Sequence, residues 1–228
     1  MIRGRVDSAD LTGGHTLAYT DPPEDRTHEL AWDRLVLTPG SVTRLFDIPG
    51  LATYARGLKS IAEALYLRDH FLEQLELASI DDDPAVAAGR RTIVVVGASY
   101  SGTELVVQLR ALADAAARQM GFDPESVRFV LLDLAEQVMP EVGEKLGKAA
   151  MKVLHDRGID VRLGLTLKEV HADHVVLSDD SRLDTRTVAW VTGGVTAAPL
   201  IETLGLPTEK GRLKVAPTCG CPAIPTCS

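Results

Sequence analysis

The residues whose types and spacing could do chemistry lie in one short segment: Gly97, Ala98, Ser99, Tyr100, Ser101 and Gly102. A glycine-bounded turn at the start of a helix directs unpaired backbone N–H groups and the positive end of the helix dipole at an anion. We expect Gly97 to make the turn and Gly102 to let the helix lie close to the preceding strand. Ser99 replaces the middle glycine of the G-x-G-x-x-G pattern, and its side chain leaves less room for a phosphate to approach the backbone. The segment therefore predicts a loop that binds the diphosphate of a dinucleotide.

The sequence on either side of this loop supplies the elements that must position it. Four consecutive apolar residues at 93–96 indicate a strand of a parallel sheet that is buried on both faces. After Thr103, apolar residues return every three or four positions, as Leu105, Val106 and Leu109 do, which is typical of a helix. Strand, glycine turn and helix is the order that a dinucleotide fingerprint requires. We therefore expect an α/β fold with a Rossmann-like parallel sheet.

A candidate ribose-binding acid follows the next apolar strand. This strand is predicted at 127–132, and Asp133 comes directly after it. In a Rossmann unit, an acid at this strand end hydrogen-bonds the adenosine ribose hydroxyls. It lies further from Gly102 than the usual roughly twenty residues, which a long helix ending near Met120 would explain. Leu134, rather than an arginine that could hold a 2′-phosphate, follows Asp133. The pattern therefore favours NADH over NADPH.

Composition and charge exclude several classes of function. The net charge is −8 and the pI about 5.2, and no basic cluster is present, which argues against a nucleic-acid partner. No apolar run approaches the roughly 20 residues that span a bilayer. The first residues do not resemble a signal peptide. We therefore expect a cytoplasmic protein.

The region before the dinucleotide motif divides into short strands and one long helix. Turn residues bound four strands, predicted at 2–7, 15–20, 27–31 and 35–38. Apolar periodicity predicts an amphipathic helix at 56–78. The charged run Asp81, Asp82, Asp83 and Pro84 ends this helix and marks the predicted domain boundary. A metal site on the three aspartates is the alternative, but no further ligands lie nearby in the sequence.

The region after Asp133 is predicted to contain a helix at 145–157, a strand at 160–163 and a second β-meander. The strands of this meander are predicted at 167–170, 174–177, 182–183 and 187–191, and Thr192, Gly193 and Gly194 end it. His171 and His174 have a spacing that zinc ligands could use. Ala172 and Asp173 between them indicate a hairpin turn instead.

A weak internal repeat relates the two halves. In both 28–41 and 181–195, a short polar strand leads into an apolar strand that ends in a glycine-containing turn. This similarity suggests two nucleotide-binding modules of one kind. The phosphate loop of the first module would precede Met1. We therefore expect that the N-terminal βαβ unit of a larger fold is missing.

Together these segments resemble the two-dinucleotide flavoproteins (pyridine nucleotide-disulfide oxidoreductases), and within them the type II NADH dehydrogenases. The resemblance covers roughly residues 3–218, through RLVLTPGS, FDIPG, YLRDHFLEQLELA, VVVGASYSGTEL, FVLLD and AWVTGGVTAAPL. It implies a Rossmann-like NAD-binding domain inserted in an FAD-binding domain, with NAD(H) and FAD as cofactors. It also implies hydride transfer from NADH to the flavin, and electron transfer to a quinone-type acceptor at the membrane.

The resemblance implies roles for individual residues. The loop 97–102 matches the NADH diphosphate loop, and Asp133 matches the adenosine-ribose acid. Glu104 matches a catalytic acid that lies near nicotinamide and flavin; an acid that only complements the helix dipole is the alternative. The other implied cofactor contacts are a loop that touches FAD and a turn that faces both cofactors: Thr38, Pro39, Gly40 and Ser41, and Thr192, Gly193 and Gly194.

Two parts of the family pattern are missing from the sequence. These are the first FAD-binding βαβ unit and the C-terminal segment that closes over the flavin, with its membrane-docking helices. The tail after Thr218 instead holds Cys219, Cys221 and Cys227. One restored base in a coding string for this tail gives Leu-Arg-Val-Pro-Gly-His-Pro-Asp-Val-Phe, close to the family pattern. We therefore expect a frameshift, no metal site, and peripheral membrane association only in a full-length parent.

The sequence patterns and the resemblance together predict three segments. Residues 1–84 are predicted to be the remnant of an FAD-binding domain, 85–195 the NADH-binding domain and 196–228 a truncated return to the FAD-binding domain. The predicted function is that of an FAD-dependent NADH dehydrogenase in truncated form. A non-catalytic NADH-binding fragment, a ferredoxin-reductase-like flavoprotein and a disulfide reductase remain alternatives.

Overall fold

The structure, a computed structural model, describes residues 1–21, 24–192, 195–197, 199–209 and 212–221. The chain divides into two compact units, one of Met1–Arg44 with Val195–Ser228 and one of Leu45–Gly194. The elements in chain order are β1 (Arg5–Ala9), β2 (Thr16–Asp21), β3 (Arg26–Ala31), β4 (Ser41–Thr43), α1 (Leu51–Tyr54), β5 (Ala55–Arg56), α2 (Ile61–Ile80), α3 (Pro84–Arg90), β6 (Thr92–Val96), α4 (Tyr100–Met120), β7 (Arg128–Asp133), α5 (Glu144–Asp156), β8 (Ile159–Leu163), β9 (Leu167–Val170), β10 (His174–Leu177), β11 (Arg182–Asp184), β12 (Thr187–Trp190), β13 (Val195–Ala197), α6 (Pro199–Thr203), β14 (Thr208–Glu209) and β15 (Arg212–Leu213).

The unit Leu45–Gly194 is built on a parallel sheet with strand order β5-β12-β6-β7-β8. The apolar run at 93–96 forms β6, which is buried at every position and lies in the middle of the sheet. Such strands are buried on both faces because helices or further strands cover each side. The predicted α/β fold with a Rossmann-like sheet is confirmed.

The two faces of the sheet are covered differently. Ile93 and Val95 face a core that includes Phe71 of α2, side chains of α4 and Phe129 of β7. Val94 and Val96 face a second core, formed with the antiparallel β9-β10-β11 meander and Leu51 of α1. Alternate residues of one strand therefore fill both layers, as the period of two in a strand requires.

The long helix before the dinucleotide motif begins later than predicted. The prediction of a helix from residue 56 is wrong at its start, because Arg56 belongs to β5 and α2 begins at Ile61. Ser60 caps the helix: its hydroxyl accepts from Glu63 N at 3.2 Å, while Glu63 Oε2 accepts from Ser60 N at 2.8 Å. This capping box satisfies amides of the first turn and fixes the helix start.

The compact units do not separate at the predicted boundary 84/85. The run of aspartates lies inside the unit Leu45–Gly194, where Asp83 caps α3 by accepting from Ala85 N at 2.8 Å. Asp81 Oδ2 lies 3.0 Å from Arg90 Nε. The aspartates therefore connect α2 to α3, and α2 packs into the core of the unit. The assignment of 1–84, 85–195 and 196–228 to FAD-binding and NADH-binding domains stays a prediction.

The assignment of 187–191 to the second meander is wrong. Strand β12 lies in the parallel sheet, between β5 and β6, and all four of its residues are buried. Continuous burial is typical of a central parallel strand, whereas a meander strand with one exposed face alternates. The meander itself consists of β9, β10 and β11.

The unit formed by Met1–Arg44 and Val195–Ser228 contains small antiparallel sheets. Their strand orders are β1-β2-β3, β13-β4 and β14-β15. The first predicted strand, at 2–7, lies at Arg5–Ala9, and the third coincides closely with β3. The predicted strand at 35–38 is wrong: this segment is irregular and Val36 is 81% exposed. Pro39 lacks an amide for pairing, and pairing begins instead at Ser41, with Ala197.

Candidate functional site

A cleft of about 340 Å³ lies at the carboxyl ends of β6, β7 and β12. In open α/β sheets this edge is where ligands bind. The lining residues come from these strand ends, from the loop before α1 and from the start of β9: Phe46, Ile48, Val96, Gly97, Asp133, Leu134, Thr166, Leu167, Trp190 and Thr192. Three predicted site residues, Gly97, Asp133 and Thr192, therefore share one cleft.

Gly97 occupies a position that no other residue type fits. Its φ is +112°, and a Cβ there would lie 2.7 Å from both N and Cα of Thr192. Its amide donates to the Leu132 carbonyl at 2.7 Å. The loop thus passes directly against the backbone that follows β12, which places Thr192 beside the predicted diphosphate loop.

Gly102 allows the first turn of α4 to touch the loop. A Cβ at Gly102 would lie 1.7 Å from the Gly97 carbonyl oxygen, far inside van der Waals contact. Val95 Cγ1 of the preceding strand would lie 3.7 Å away. Only a residue without a side chain permits this approach, which is the role that the motif assigns to its last glycine.

The start of α4 offers backbone donors to an anion. Ser99 is the N-cap, its side chain caps no amide, and the first intrahelical bond runs from Thr103 N to Ser99 O at 3.0 Å. The amides before Thr103 have no carbonyl one turn back to bond. With the dipole of a helix as long as Tyr100–Met120, this end is suited to a diphosphate.

Asp133 connects the end of β7 to the glycine loop. Its Oδ2 accepts from Ala98 N at 2.6 Å and its Oδ1 accepts from Ala135 N at 2.8 Å. A carboxylate has about four lone-pair sites, so each oxygen can still accept a hydroxyl hydrogen. The side chain thus holds the loop in place while it lines the cleft, a tether that the sequence pattern did not indicate.

The other predicted site residues lie in several places. Ala98 is buried, Ser99 and Ser101 are half-buried, and Tyr100 is exposed at the first position of α4. Glu104 is exposed in the second turn of α4 and does not line the cleft. Thr38, Pro39 and Gly40 form irregular backbone, and Ser41 begins β4, all within the smaller unit. Gly193 and Gly194 lie outside the described residues.

Sequence reasoning missed the apolar wall of the cleft. Phe46 and Trp190 pack edge to face with ring centroids 5.9 Å apart, and Ile48 lies beside them in the lining. Apolar and aromatic surface of this kind is what planar ligand rings pack against. The sequence signal that could have indicated this wall is the pair of large apolar residues, Phe46 and Ile48, just before Pro49 and Gly50.

The structure shows the surroundings of the histidines and cysteines that could hold a metal ion. The rings of His171 and His174 stack with centroids 4.3 Å apart, and they pair with Glu169 and Asp173 respectively. Within the described ranges, no three His, Cys, Asp or Glu side chains are grouped to hold a metal ion. Cys219 and Cys221 are free thiols, and Cys227 lies outside the described residues.

No helix in the described part of the chain is long and apolar enough to cross a membrane.

Comparison with protein families gives a match over almost the whole chain. Residues 2–224 match the family described as pyridine nucleotide-disulphide oxidoreductase. Two curated relatives come from Mycobacterium tuberculosis. The type II NADH:quinone oxidoreductase Ndh is 30% identical over 99% of this chain and 50% of its own length. The oxidoreductase NdhA is 31% identical over 88% of this chain and 43% of its own length. The chain thus spans about half the length of the curated relatives it matches.

Solved structures show the same fold. The NDH2 of Plasmodium falciparum in complex with RYL-552 is similar with a TM-score of 0.81 and 16% identity, covering 94% of this chain and 45% of that one. Its complex with NADH gives a TM-score of 0.77 and 17% identity over 92% of this chain and 44% of that one. A ferredoxin reductase from Rhodopseudomonas palustris gives 0.67 and 23% identity over 92% and 45%.

Proposed function

Because the chain belongs to the pyridine nucleotide-disulphide oxidoreductase family, we propose that it binds NADH in the cleft at the carboxyl edge of its parallel sheet. We further propose that, with FAD bound, it acts as an NADH dehydrogenase whose electrons go to a quinone-type acceptor. The observation that carries the proposal is the meeting of Gly97, Asp133 and Thr192 in one cleft, beside the first turn of α4.

The cleft and its surroundings fit the parts of a dinucleotide. The close-packed glycine loop and the free amides of α4 suit a diphosphate. The Asp133 carboxylate can accept from ribose hydroxyls while it keeps its two bonds to backbone amides. Phe46 and Trp190 supply apolar surface for a planar ring.

The same residues favour NADH over NADPH. Among the residues that the structure describes, the cleft lining contains Asp133 and no lysine, arginine or histidine. A 2′-phosphate placed near this carboxylate would be repelled and would find no cationic partner in the lining. Leu134, the next residue, is 66% exposed and offers no charge.

The roles toward FAD and quinone rest on resemblance. We propose that Thr38, Pro39, Gly40 and Ser41 contact FAD, that the turn of Thr192, Gly193 and Gly194 faces both cofactors, and that Glu104 lies near their reacting rings. FAD would supply the chemistry of accepting a hydride. The quinone acceptor is supported by the names of the relatives, which are NADH:quinone oxidoreductases. We propose a cytoplasmic location, peripheral to the inner face of the membrane.

A reconstitution experiment tests the enzymatic part of this proposal. The chain is purified, incubated with FAD, freed of unbound flavin and mixed with NADH and a soluble quinone. We expect retained flavin that NADH bleaches, and NADH oxidation that depends on the quinone. NADH binding without flavin retention would instead assign a non-catalytic NADH-binding fragment. Reduction of a ferredoxin but not of the quinone would assign the ferredoxin-reductase alternative.

The substitution Asp133→Asn is expected to weaken NADH binding by about 10- to 100-fold. It removes a charge and turns an amide donor toward either Ala98 N or Ala135 N, each of which now donates to a carboxylate oxygen. Hydrogen bonds to charged groups contribute about 1.5–3 kcal/mol each, and 1.4 kcal/mol is about tenfold in affinity. Isothermal titration with NADH measures the change.

The control for this substitution is Glu136→Gln. Glu136 is exposed in the same loop and does not line the cleft, so its neutralisation removes the same charge without touching the ligand. Equal losses of affinity in the two variants would mean that Asp133 acts only through long-range charge. An unchanged affinity in Asp133→Asn would remove Asp133 from the site.

A further inference from the structure

A second cavity, of about 280 Å³, lies in the unit Leu45–Gly194 and shares no lining residue with the cleft. It opens beside β5, the edge strand of the parallel sheet. Because β5 is only two residues long and pairs with Val188 and Ala189, it leaves Thr187, the first residue of β12, without a partner on that side. Its walls come from α1, β5, α2, the loop after β9 and the start of β12. We call it the edge cavity.

The lining of the edge cavity is cationic. Arg56 and Arg186 carry this charge, and the imidazoles of His70 and His171 also line the cavity; among the residues that the structure describes, no aspartate or glutamate does. Within the described part of the chain, neither guanidinium lies at ion-pair distance from a carboxylate. Arg56 Nη1 donates to the Thr53 and Ala55 carbonyls at 2.9 and 2.7 Å, which fixes the group and leaves its other N–H donors for a further acceptor.

A buried hydroxyl in the cavity wall lacks a partner. Thr187 is 1% exposed, lines the edge cavity, and its Oγ1 is buried without a hydrogen-bond partner. The nearby Thr185 is equally buried, but its hydroxyl donates to the Thr92 carbonyl at 2.6 Å. Buried polar groups are normally paired, so the Thr187 hydroxyl is an unused donor in the wall of the cavity.

Neighbouring groups hold the His70 and Tyr66 rings of the edge cavity in place. His70 Nε2 lies 2.8 Å from the Arg186 carbonyl, so this nitrogen donates, and the Tyr66 ring stacks on His70 with centroids 5.5 Å apart. The Arg56 guanidinium lies over the Tyr66 ring, 5.1 Å from its centroid. Three acids close to these groups lie outside the lining: Glu73 near His70, Glu169 near His171, and Asp81, whose carboxylate interacts electrostatically with Arg186.

We propose that the edge cavity is a binding site for a small oxyanion, either a phosphate or a carboxylate carried by a small molecule. The two guanidinium groups supply charge and directed donors, as they do in oxyanion sites generally. The Thr187 hydroxyl supplies a neutral donor, and Tyr66 bounds the space with an aromatic ring. None of these residues lines the proposed NADH cleft, so the two sites are separate.

Titration of the full chain with inorganic phosphate, and separately with benzoate, tests this proposal in chloride buffer free of other oxyanions. We expect saturable binding of at least one probe, and the stronger of the two identifies phosphate or carboxylate as the natural group. Arg186→Gln and the isosteric Thr187→Val are each expected to weaken that binding by on the order of tenfold, the loss of one good hydrogen bond to a charged group.

Two controls separate this site from general effects. Arg157→Gln removes one positive charge from an exposed position outside the edge cavity, and it is expected to leave the anion affinity unchanged. Far-ultraviolet circular dichroism of each variant establishes that it is folded. The absence of saturable binding of both probes to the parent chain would overturn the proposal. Binding that neither Arg186→Gln nor Thr187→Val weakens would also overturn it, by locating the anion elsewhere.

Discussion

Replacing Gly102 with alanine is expected to destabilise the unit Leu45–Gly194 and to abolish measurable NADH binding. The added Cβ would lie 1.7 Å from the Gly97 carbonyl oxygen, which is backbone and cannot rotate away. Overpacking of this kind costs about 1–3 kcal/mol or more in free energy of unfolding. Relief of the clash moves the first turn of α4 away from the loop, so the amides and Asp133 no longer face one ligand.

The control for this variant is another buried helical glycine, Gly89 of α3. A Cβ there would meet its nearest atoms at 3.6 Å, an ordinary contact. Because alanine is favoured over glycine in helices, Gly89→Ala is expected to be neutral or to stabilise by up to about 1 kcal/mol. Urea denaturation and NADH titration measure both variants. Wild-type stability and affinity in Gly102→Ala would contradict the close approach of α4 to the loop.

Phe129→Ala is expected to cause the largest loss of stability, about 3–5 kcal/mol, as is typical for removal of a buried aromatic ring. Phe129 lies in the central part of the sheet and is 0% exposed. Its ring packs edge to face on Phe71 with centroids 6.1 Å apart, and the Arg110 guanidinium lies 5.3 Å from its centroid. The substitution opens a cavity between α2, α4 and the sheet, where neighbours held by backbone pairing cannot collapse.

Hydrogen exchange of the β6 and β7 amides, together with urea denaturation, measures this effect. Phe129→Leu serves as the comparison, because it keeps most of the apolar volume and is expected to cost less than half as much. A loss below about 1 kcal/mol in Phe129→Ala would mean that the packing of α2 onto the sheet does not hold this unit together, given the values usual for core truncation.

The parts of the fold that local sequence determines were predicted well. The apolar run at 93–96 became the central strand β6, and the glycine spacing became a turn in which Gly97 and Gly102 touch. A buried parallel strand needs apolar residues on both faces, and a close backbone approach needs glycine, so each requirement leaves its own pattern. Asp133 directly follows the apolar run at 127–132, and it accordingly lies at the end of β7.

The parts that depend on distant partners were not predictable. Strand β12 pairs with β5 and β6, and nothing local shows that 187–190 joins the parallel sheet and not the meander. Residues 35–38 have a strand-like composition but remain irregular. The aspartates at 81–83 have the composition of a linker, yet α2 before them buries Phe71 and Leu75 in the core of the larger unit.

The candidate site shows the same division. The positions of the loop and of Asp133 could be predicted because a glycine turn between strand and helix, and an acid at the end of a strand, each leave a local sequence pattern. The bond from Ala98 N to Asp133 and the apolar wall of Phe46 and Trp190 were missed, since both join segments far apart in the chain. The edge cavity combines four separate segments, none of which carries a recognisable motif.

Isothermal titration of the full chain with NADH and with NADPH is the most direct test of the central claim, that this cleft is an NADH site whose selectivity comes from Asp133. We expect saturable NADH binding, and NADPH binding weaker by about tenfold or more, which corresponds to at least about 1.4 kcal/mol for the repelled and unpaired 2′-phosphate. Absence of NADH binding, or tighter binding of NADPH, would contradict it.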